Sequence, residues 1–260
     1  MDDMTTGGGV TFVLPTRLQL FLPAKRRSAE PEVPVDGTAT VGHLLGSLGV
    51  PKTEVGQLRL DGHPVDVAYR PQSGDRIVVR EPRRPQPAPT SPPRFVLDVH
   101  LGGLARRMRL LGLDTAYDRT ADDDALVETS LTEQRVLLTR DRGLLHRRAL
   151  RWGAHVDHQA PDDQLLDVVE RFAPPLRPLS RCPACNGMLA EVAKADVQAL
   201  LPAGTRRTYE VFRRCSVCGK VYWRGAHADR LARIVDAAAP RAEGSAAASR
   251  PGCGRPPRAT

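Results

Sequence analysis

Residues 94–112, RFVLDVHLGGLARRMRLLG, and residues 135–145, RVLLTRDRGLL, decide the fold. Each opens with a short run of large apolar and β-branched residues, too short for a helix, and each run is followed by an acid, Asp98 or Asp141. After Asp98, the positions Leu101, Leu104, Ala105, Met108 and Leu111 recur at helical spacing, and Gly112 offers a stop. The intervening and following segments keep the alternation. Residues 114–118 (DTAYD) read as a strand and residues 122–134 (DDDALVETSLTEQ) as a helix opened by acids. Residues 142–150 (RGLLHRRAL) read as a short helix, residues 153–156 (GAHV) as a strand, and residues 161–172 (PDDQLLDVVERF) as a helix with proline near its start. Strand–helix alternation predicts an α/β domain, a parallel sheet flanked by helices, over residues 94–174.

Outside this alternation the chain changes character. Residues 81–93 lie within REPRRPQPAPTSPPR, which has little to bury and favours extended geometry, so they read as a linker. Upstream, residues 14–80 read as a small β-rich domain. TRLQLFL (residues 16–22) alternates as a strand does, and VGHLLGSLGV (residues 41–50) is a short helix with Val41, Leu44, Leu45 and Leu48 on one face. QLRLDGHPVDV turns at Asp61-Gly62, a hairpin signal, and SGDRIVVR supplies a last strand. Downstream, residues 180–238 form a cysteine-bearing module with a C-terminal helix, and residues 240–260 lack any periodicity.

The 260 residues carry 38 Lys+Arg against 30 Asp+Glu, a formal charge of +8, which suits a nucleic-acid partner. No apolar run reaches the roughly 18 residues a membrane span requires. The opening MDDMTTGGGV is acidic where a signal peptide is basic, so the cytoplasm is the expected compartment. Four of the five cysteines fall in two Cys-x-x-Cys pairs, which favours metal over disulfides.

In open parallel sheets, sites form beyond the carboxyl ends of the strands. Asp98 and Asp141 occupy such ends, and Asp122, Asp123 and Asp124 open the helix between them. Converging carboxylates repel unless cations neutralise them. Mg²⁺ or Mn²⁺, hard ions that keep waters and need few carboxylates, is the natural solution and activates water toward a phosphodiester. The competing reading of each acid is a helix cap. Arg140 and Arg142 flank Asp141, and Arg106, Arg107 and Arg109 are expected on the solvent side of the first helix. They read as phosphate-binding residues or as a solvated face.

RCPACNG and RCSVCGK present Cys182, Cys185, Cys215 and Cys218, the donor set of a closed, structural zinc site. The spacer has room for a helix (KADVQALL) and a strand (RTYEVFR). Beyond it, VYWRGAHADRL contributes Tyr222, Trp223, Arg224 and His227. The aromatics stack on bases or cover the module's small core, and Arg224 and His227 are candidate phosphate contacts. Cys253 stands alone in the tail.

The phrases FVLDVHLGGLARRMRLLGLDTAYDRTADDDAL and EQRVLLTRDRGLL resemble the Mut-seven C-terminal RNase family, PIN-like nucleases with an attached zinc ribbon; the resemblance spans residues 94–238 and takes in the YWRG-x-H phrase. It implies Asp98 as the first metal-binding acid, Asp123 with Asp122 as the helix-start acid, and Asp141 as the strand-end acid. The family's Met-Leu after the first acid is replaced by Val99-His100-Leu101, with His100 expected to be exposed. Asp114 and Asp163 are the candidates for a fourth acid. LGVPKTEVG, LDGHPV and SGDRIVV resemble the ubiquitin-like sulfur carriers, which implies a β-grasp fold. The last strand runs into EPRRP without the carriers' terminal Gly-Gly, so docking or positioning, with a possible protein partner, is expected in place of sulfur transfer. The expected function is a metal-dependent ribonuclease holding Zn²⁺ and Mg²⁺ or Mn²⁺; the alternative is a non-catalytic RNA-binding or ribosome-associated adaptor.

Overall fold

The computed structural model describes residues 8–223, which divide into two compact units. The first comprises residues up to Arg83 with Ala88–Gly102 and Ala116–Asp157; the second comprises Arg84–Pro87, Gly103–Thr115 and the residues from His158 onward. Arg224, His227, the expected helix to residue 238, the tail and Cys253 lie outside the described residues.

In the first unit, β1 (Gly9–Val13), β2 (Glu32–Pro34), β3 (Leu58–Leu60), β4 (His63–Val65) and β5 (Arg76–Val79) form a sheet of order β2-β1-β5-β3-β4. The two central strands, β1 and β5, run parallel and the other pairings are antiparallel, the arrangement of a β-grasp. The β3–β4 hairpin turns at Asp61 (φ 49°) and Gly62 (φ 81°), left-handed residues whose twist suits a two-residue loop. Helix α2 (Val41–Ser47) is capped by the Thr40 hydroxyl, which accepts from the His43 amide, and it buries Val41, Leu44 and Leu45 beside Phe12 and Ile77.

The first strand lies upstream of the expected boundary, and residues 16–22 are not a strand. Thr16–Gln19 is a short helix, α1, entered from Pro15. Leu18, Phe21 and Leu22 are buried whereas Leu20 is 41% exposed. The apolar spacing was therefore helical, three and four apart, and mimicked alternation only over a short window.

The same unit contains β6 (Phe95–Leu97), β7 (Thr115–Tyr117, whose first residue belongs to the other unit), β8 (Val136–Thr139) and β9 (Gly153–His155), in the order β7-β6-β8-β9. β6 pairs parallel with β8, and β8 with β9. Every residue of β6 and β8 is buried, as expected of interior parallel strands. Helices α4 (Asp123–Thr132) and α5 (Arg142–Leu145) cover the sheet through Leu126, Val127, Leu144 and Leu145, packed with Val96 and Leu137. Burial of each such side chain stabilises the fold by about 1.5–3 kcal/mol.

The second unit holds most of helix α3 (Gly102–Leu110) and all of α6 (Pro161–Phe172), joined by an ion pair between Arg107 and Asp162. The proline-rich stretch is not wholly free. Arg84 pairs with Asp167 and Glu170, and the Gln86 amide donates to the Arg171 carbonyl at 2.6 Å. A three-stranded antiparallel sheet follows: β10 (Leu189–Val192), β11 (Phe212–Cys215) and β12 (Val221–Trp223), in that order. Between β10 and β11 lie α7 (Lys194–Val197) and α8 (Ala203–Thr208). The strand expected over residues 207–213 thus begins only at Phe212. Its register pairs Cys215 with Leu189, and residues 207–208 close α8. No described helix is long and apolar enough to cross a membrane.

Candidate functional site

The parallel register of β6, β8 and β9 builds the rim. Leu97 pairs with Leu138 and Thr139 with His155, so Asp98, Thr139 and His155 follow one another across the carboxyl ends of three strands. Asp98 is only 5% exposed. Thr139 Oγ1 donates to Asp98 Oδ2 at 2.6 Å and accepts from the Asp141 amide at 2.8 Å. Asp141 is exposed, and its Oδ1 accepts from the Gly143 amide at 2.7 Å, capping α5. Threonine 139 therefore joins the two strand-end acids, a link that sequence reasoning missed although the T-R-D phrase places a hydroxyl two residues before the acid. Asp98 Oδ1 takes no hydrogen bond from the described residues. A carboxylate accepts at both oxygens, so Oδ1 keeps its capacity for a further donor or a cation.

The turn after Asp98 is set by packing. Tyr117 donates its hydroxyl to the Val99 carbonyl at 2.8 Å, and a Cβ on Gly102 would lie 2.6 Å from that hydroxyl oxygen. A side chain at this position would displace the Tyr117 ring and, with it, the bond to Val99. His100, beside this turn, is exposed as expected.

The helix-start acids divide their tasks. Asp122 caps α4 by accepting from the Ala125 amide at 2.8 Å, and Asp124 pairs with Arg147. Asp123 is exposed and makes no ion pair with a described residue. Among the described residues, the carboxylates of Asp98, Asp123 and Asp141 do not form a group with ligand atoms within 4.8 Å of one another. Asp98 and Asp141 meet through Thr139, and the three acids do not close into a cage.

Of the arginines, Arg106 and Arg142 are exposed, and Arg140 is partly exposed. Arg109 is the correction. It is 5% exposed, with Nε donating to the Thr115 carbonyl at 2.9 Å and Nη1 to the carbonyls of Pro183 (3.3 Å) and Ala184 (3.0 Å). It sits on the buried side of α3 next to Met108, and its guanidinium satisfies backbone oxygens, so it is not available to phosphate. Asp114 is likewise structural: it receives Arg181 and the Asn186 amide, both at 2.9 Å. Asp163 lies exposed in the first turn of α6, where it complements the helix dipole.

The sulfurs of Cys182, Cys185, Cys215 and Cys218 lie within 4.8 Å of one another and could hold a metal ion. Cys182 and Cys218 are 3.6 Å apart, and Cys185 and Cys215 are 3.5 Å apart. Four thiolates at about 2.3 Å from a tetrahedral zinc would stand about 3.8 Å apart, so the donor set and spacing fit that ion. The Val217 and Cys218 amides point at Cys215 Sγ. Burial disfavours the Cys182 thiolate, but hydrogen bonds from the Tyr222 hydroxyl and the Cys185 and Ala184 amides outweigh it and hold the thiol down at about 7. Burial pushes Cys185 up to about 12, and its cysteine neighbours add to the rise. Tyr222 is thus engaged with a metal-site sulfur at 3.2 Å, and Trp223 packs against Tyr209 and Phe212. Both aromatics serve the module's interior.

Two family models cover the chain: the Mut7-C RNAse domain over residues 93–235 and the Mut7-C ubiquitin domain over residues 7–87. No curated protein and no solved structure matches it. With a buried carboxylate at the strand ends, a four-thiol group downstream and a β-grasp upstream, the chain belongs to the Mut7-C RNAse domain family, preceded by that family's ubiquitin-like domain.

Proposed function

We propose that the chain is a PIN-like, metal-dependent ribonuclease, a reading carried by the hydrogen-bonded series Asp98–Thr139–Asp141 at the strand ends of a domain in an RNase family. Asp98 and Asp141, with Asp123 and Asp122 from the start of α4, supply oxygen donors suited to Mg²⁺ or Mn²⁺, hydrated ions that need few protein carboxylates. When bound, such an ion polarises a phosphoryl oxygen and lowers the pKa of water. Thr139 keeps the Asp98 carboxylate oriented by its proton, and the Asp141 carboxylate, held by its cap, stands exposed at the rim. Arg140 and Arg142 hold backbone phosphates beside these acids; Arg106, Arg224 and His227 belong to the other unit and are proposed as RNA contacts of that unit alone. Zinc on the four cysteines fixes the ribbon and performs no chemistry, because four thiolates leave no open position.

The test is cleavage of single-stranded RNA by the full chain in Mn²⁺, with Asp98→Asn and Asp141→Asn alongside. The expected result is cleavage by the wild type and a loss of about a hundredfold or more in each variant. Salt-sensitive RNA binding with no cleaved product from any of the three would support the adaptor instead.

A further inference from the structure

β9 is an edge strand of its sheet, and its outer edge is met by the ubiquitin-like domain within the first unit. Glu54, 1% exposed, accepts from the His155 amide at 2.7 Å, and Lys52 donates to the Arg148 carbonyl at 3.0 Å. Helix α1 and the turn after it extend this seam to the rim. Arg17 pairs through Nε with Asp157 at 3.2 Å and reaches the His155 carbonyl at 3.4 Å. Phe21, in the turn that follows α1, meets the His155 ring edge-on at 5.1 Å and lies beneath the Arg142 guanidinium at 5.6 Å. His155 is held by Asp157 through Nδ1 at 2.6 Å, and its Nε2 faces the Arg140 carbonyl at 3.3 Å. Both residues flanking Asp141 therefore have a support that leads back to the ubiquitin-like domain: Arg142 through Phe21, and Arg140 through His155, Asp157 and Arg17.

We propose that Arg17 and Phe21 are positioning residues for the loop of residues 140–142, making the ubiquitin-like domain a built-in part of the RNA-binding rim. The physical argument is preorganisation. An arginine on an exposed helix start samples many rotamers, and ordering it on binding phosphate costs affinity. A ring face beneath the guanidinium orders it beforehand through cation–π attraction while leaving its N–H groups for phosphate. The Arg17–Asp157 pair fixes the His155 ring that braces the other side of the loop.

The inference rests on the proposed RNA-binding role of the rim, and affinity separates it from catalysis. Fluorescence anisotropy with labelled single-stranded RNA is measured on the full chain carrying Asp98→Asn, across a NaCl series. Phe21→Leu should weaken binding about threefold to tenfold. Arg142→Ala should weaken it at least as much and reduce the salt slope by about one. The double variant should bind no worse than Arg142→Ala alone, and Phe21→Tyr should stay within about twofold of the parent. If Phe21→Leu does not fold, Arg17→Gln takes its place in a cycle with Arg140→Ala, with a loss of about twofold to threefold that Arg140→Ala masks and whose full additivity there overturns the proposal. Unchanged affinity on substitution, or full additivity with Arg142→Ala, overturns the proposal. Coupled affinity losses without Mn²⁺-dependent cleavage by the wild type overturn only the nuclease reading. Cleavage without coupling overturns only the positioning, and absence of RNA binding overturns both.

Discussion

Thr139 stands between two acids: its hydroxyl hydrogen goes to Asp98 Oδ2 at 2.6 Å, and its oxygen accepts the Asp141 amide at 2.8 Å. A hydroxyl has one proton to donate and can accept as well, so this one side chain orients the buried carboxylate and anchors the loop that presents the exposed one. Parallel pairing of β6 with β8 brings Asp98 and Thr139 side by side.

Thr139→Val keeps the side-chain shape and removes both bonds. It leaves a carboxylate of 5% exposure without its donor and an amide without its acceptor. Denaturant unfolding should show a loss of about 1–3 kcal/mol, and RNA cleavage should fall by about tenfold or more. Thr139→Ser should preserve most of both. A valine variant with unaltered stability would show that the hydroxyl does not serve Asp98.

Arg109 allows a test that separates scaffold from substrate contact. Its guanidinium holds three carbonyls, two of them in the Cys182–Cys185 knuckle. Arg109→Met should cost about 2–4 kcal/mol in unfolding experiments, because buried acceptors lose a charged donor. Zinc retention against a chelator should weaken, while RNA affinity stays within about twofold. Arg142→Ala should behave in the reverse manner, weakening RNA binding with little change in stability.

Metal removal should act on the ribbon first. A chelator strong enough for zinc should strip one equivalent and unfold the β10–β12 sheet, whose described core is small: Cys182, Leu189 and Cys215 in one cluster, Val197, Leu201 and Phe212 in the other. Cys182→Ser or Cys215→Ser should abolish stoichiometric zinc by elemental analysis. Thiolates bind metal, so loading displaces protons and affinity falls with falling pH. In the metal-free protein Cys182 sits at about 7 and Cys185 at about 12. Above pH 7 Cys182 has no proton left to displace; below it, one more must leave. The decline in zinc affinity, measured by competition with a chromophoric chelator, should therefore steepen by about tenfold per pH unit below pH 7.

The fold was legible wherever pattern and geometry share a period. FVL and VLLT are uniformly apolar because their strands are buried on both faces, and PDDQLLDVVERF carries its own start signal and stripe. The Asp61-Gly62 hairpin and the two cysteine pairs were readable for the same reason: local chemistry dictates local shape. TRLQLFL was misread because over seven residues Leu18, Leu20 and Leu22 imitate alternation, and only burial reveals that Leu20 is the outlier. Arg109 was misplaced because charge suggests solvent, whereas carbonyls more than 70 residues away in sequence receive it. The Thr139 link and the seam through Glu54, Arg17 and Phe21 depend on strand register and long-range packing, which no local window encodes.

Glu54 shows how that seam can be tested apart from RNA. A sheet edge normally presents unpaired amides, and β9 has its His155 amide taken by a carboxylate from the ubiquitin-like domain at 2.7 Å. Glu54 is 1% exposed, and the His155 amide gives its buried carboxylate a donor. Glu54→Ala removes the acceptor and leaves the edge amide to solvent or to nothing, at a cost of about 1–3 kcal/mol in unfolding free energy. Glu54→Gln retains an oxygen at the same reach and should recover part of that loss. Hydrogen exchange at the His155 amide should accelerate by about tenfold or more in the alanine variant, while Val10 and Phe12, in the β-grasp's own interior, keep their protection. Equal exchange at His155 in wild type and Glu54→Ala would mean that the carboxylate does not cap this strand in solution, and the route from the ubiquitin-like domain to residues 140–142 would lose its anchor.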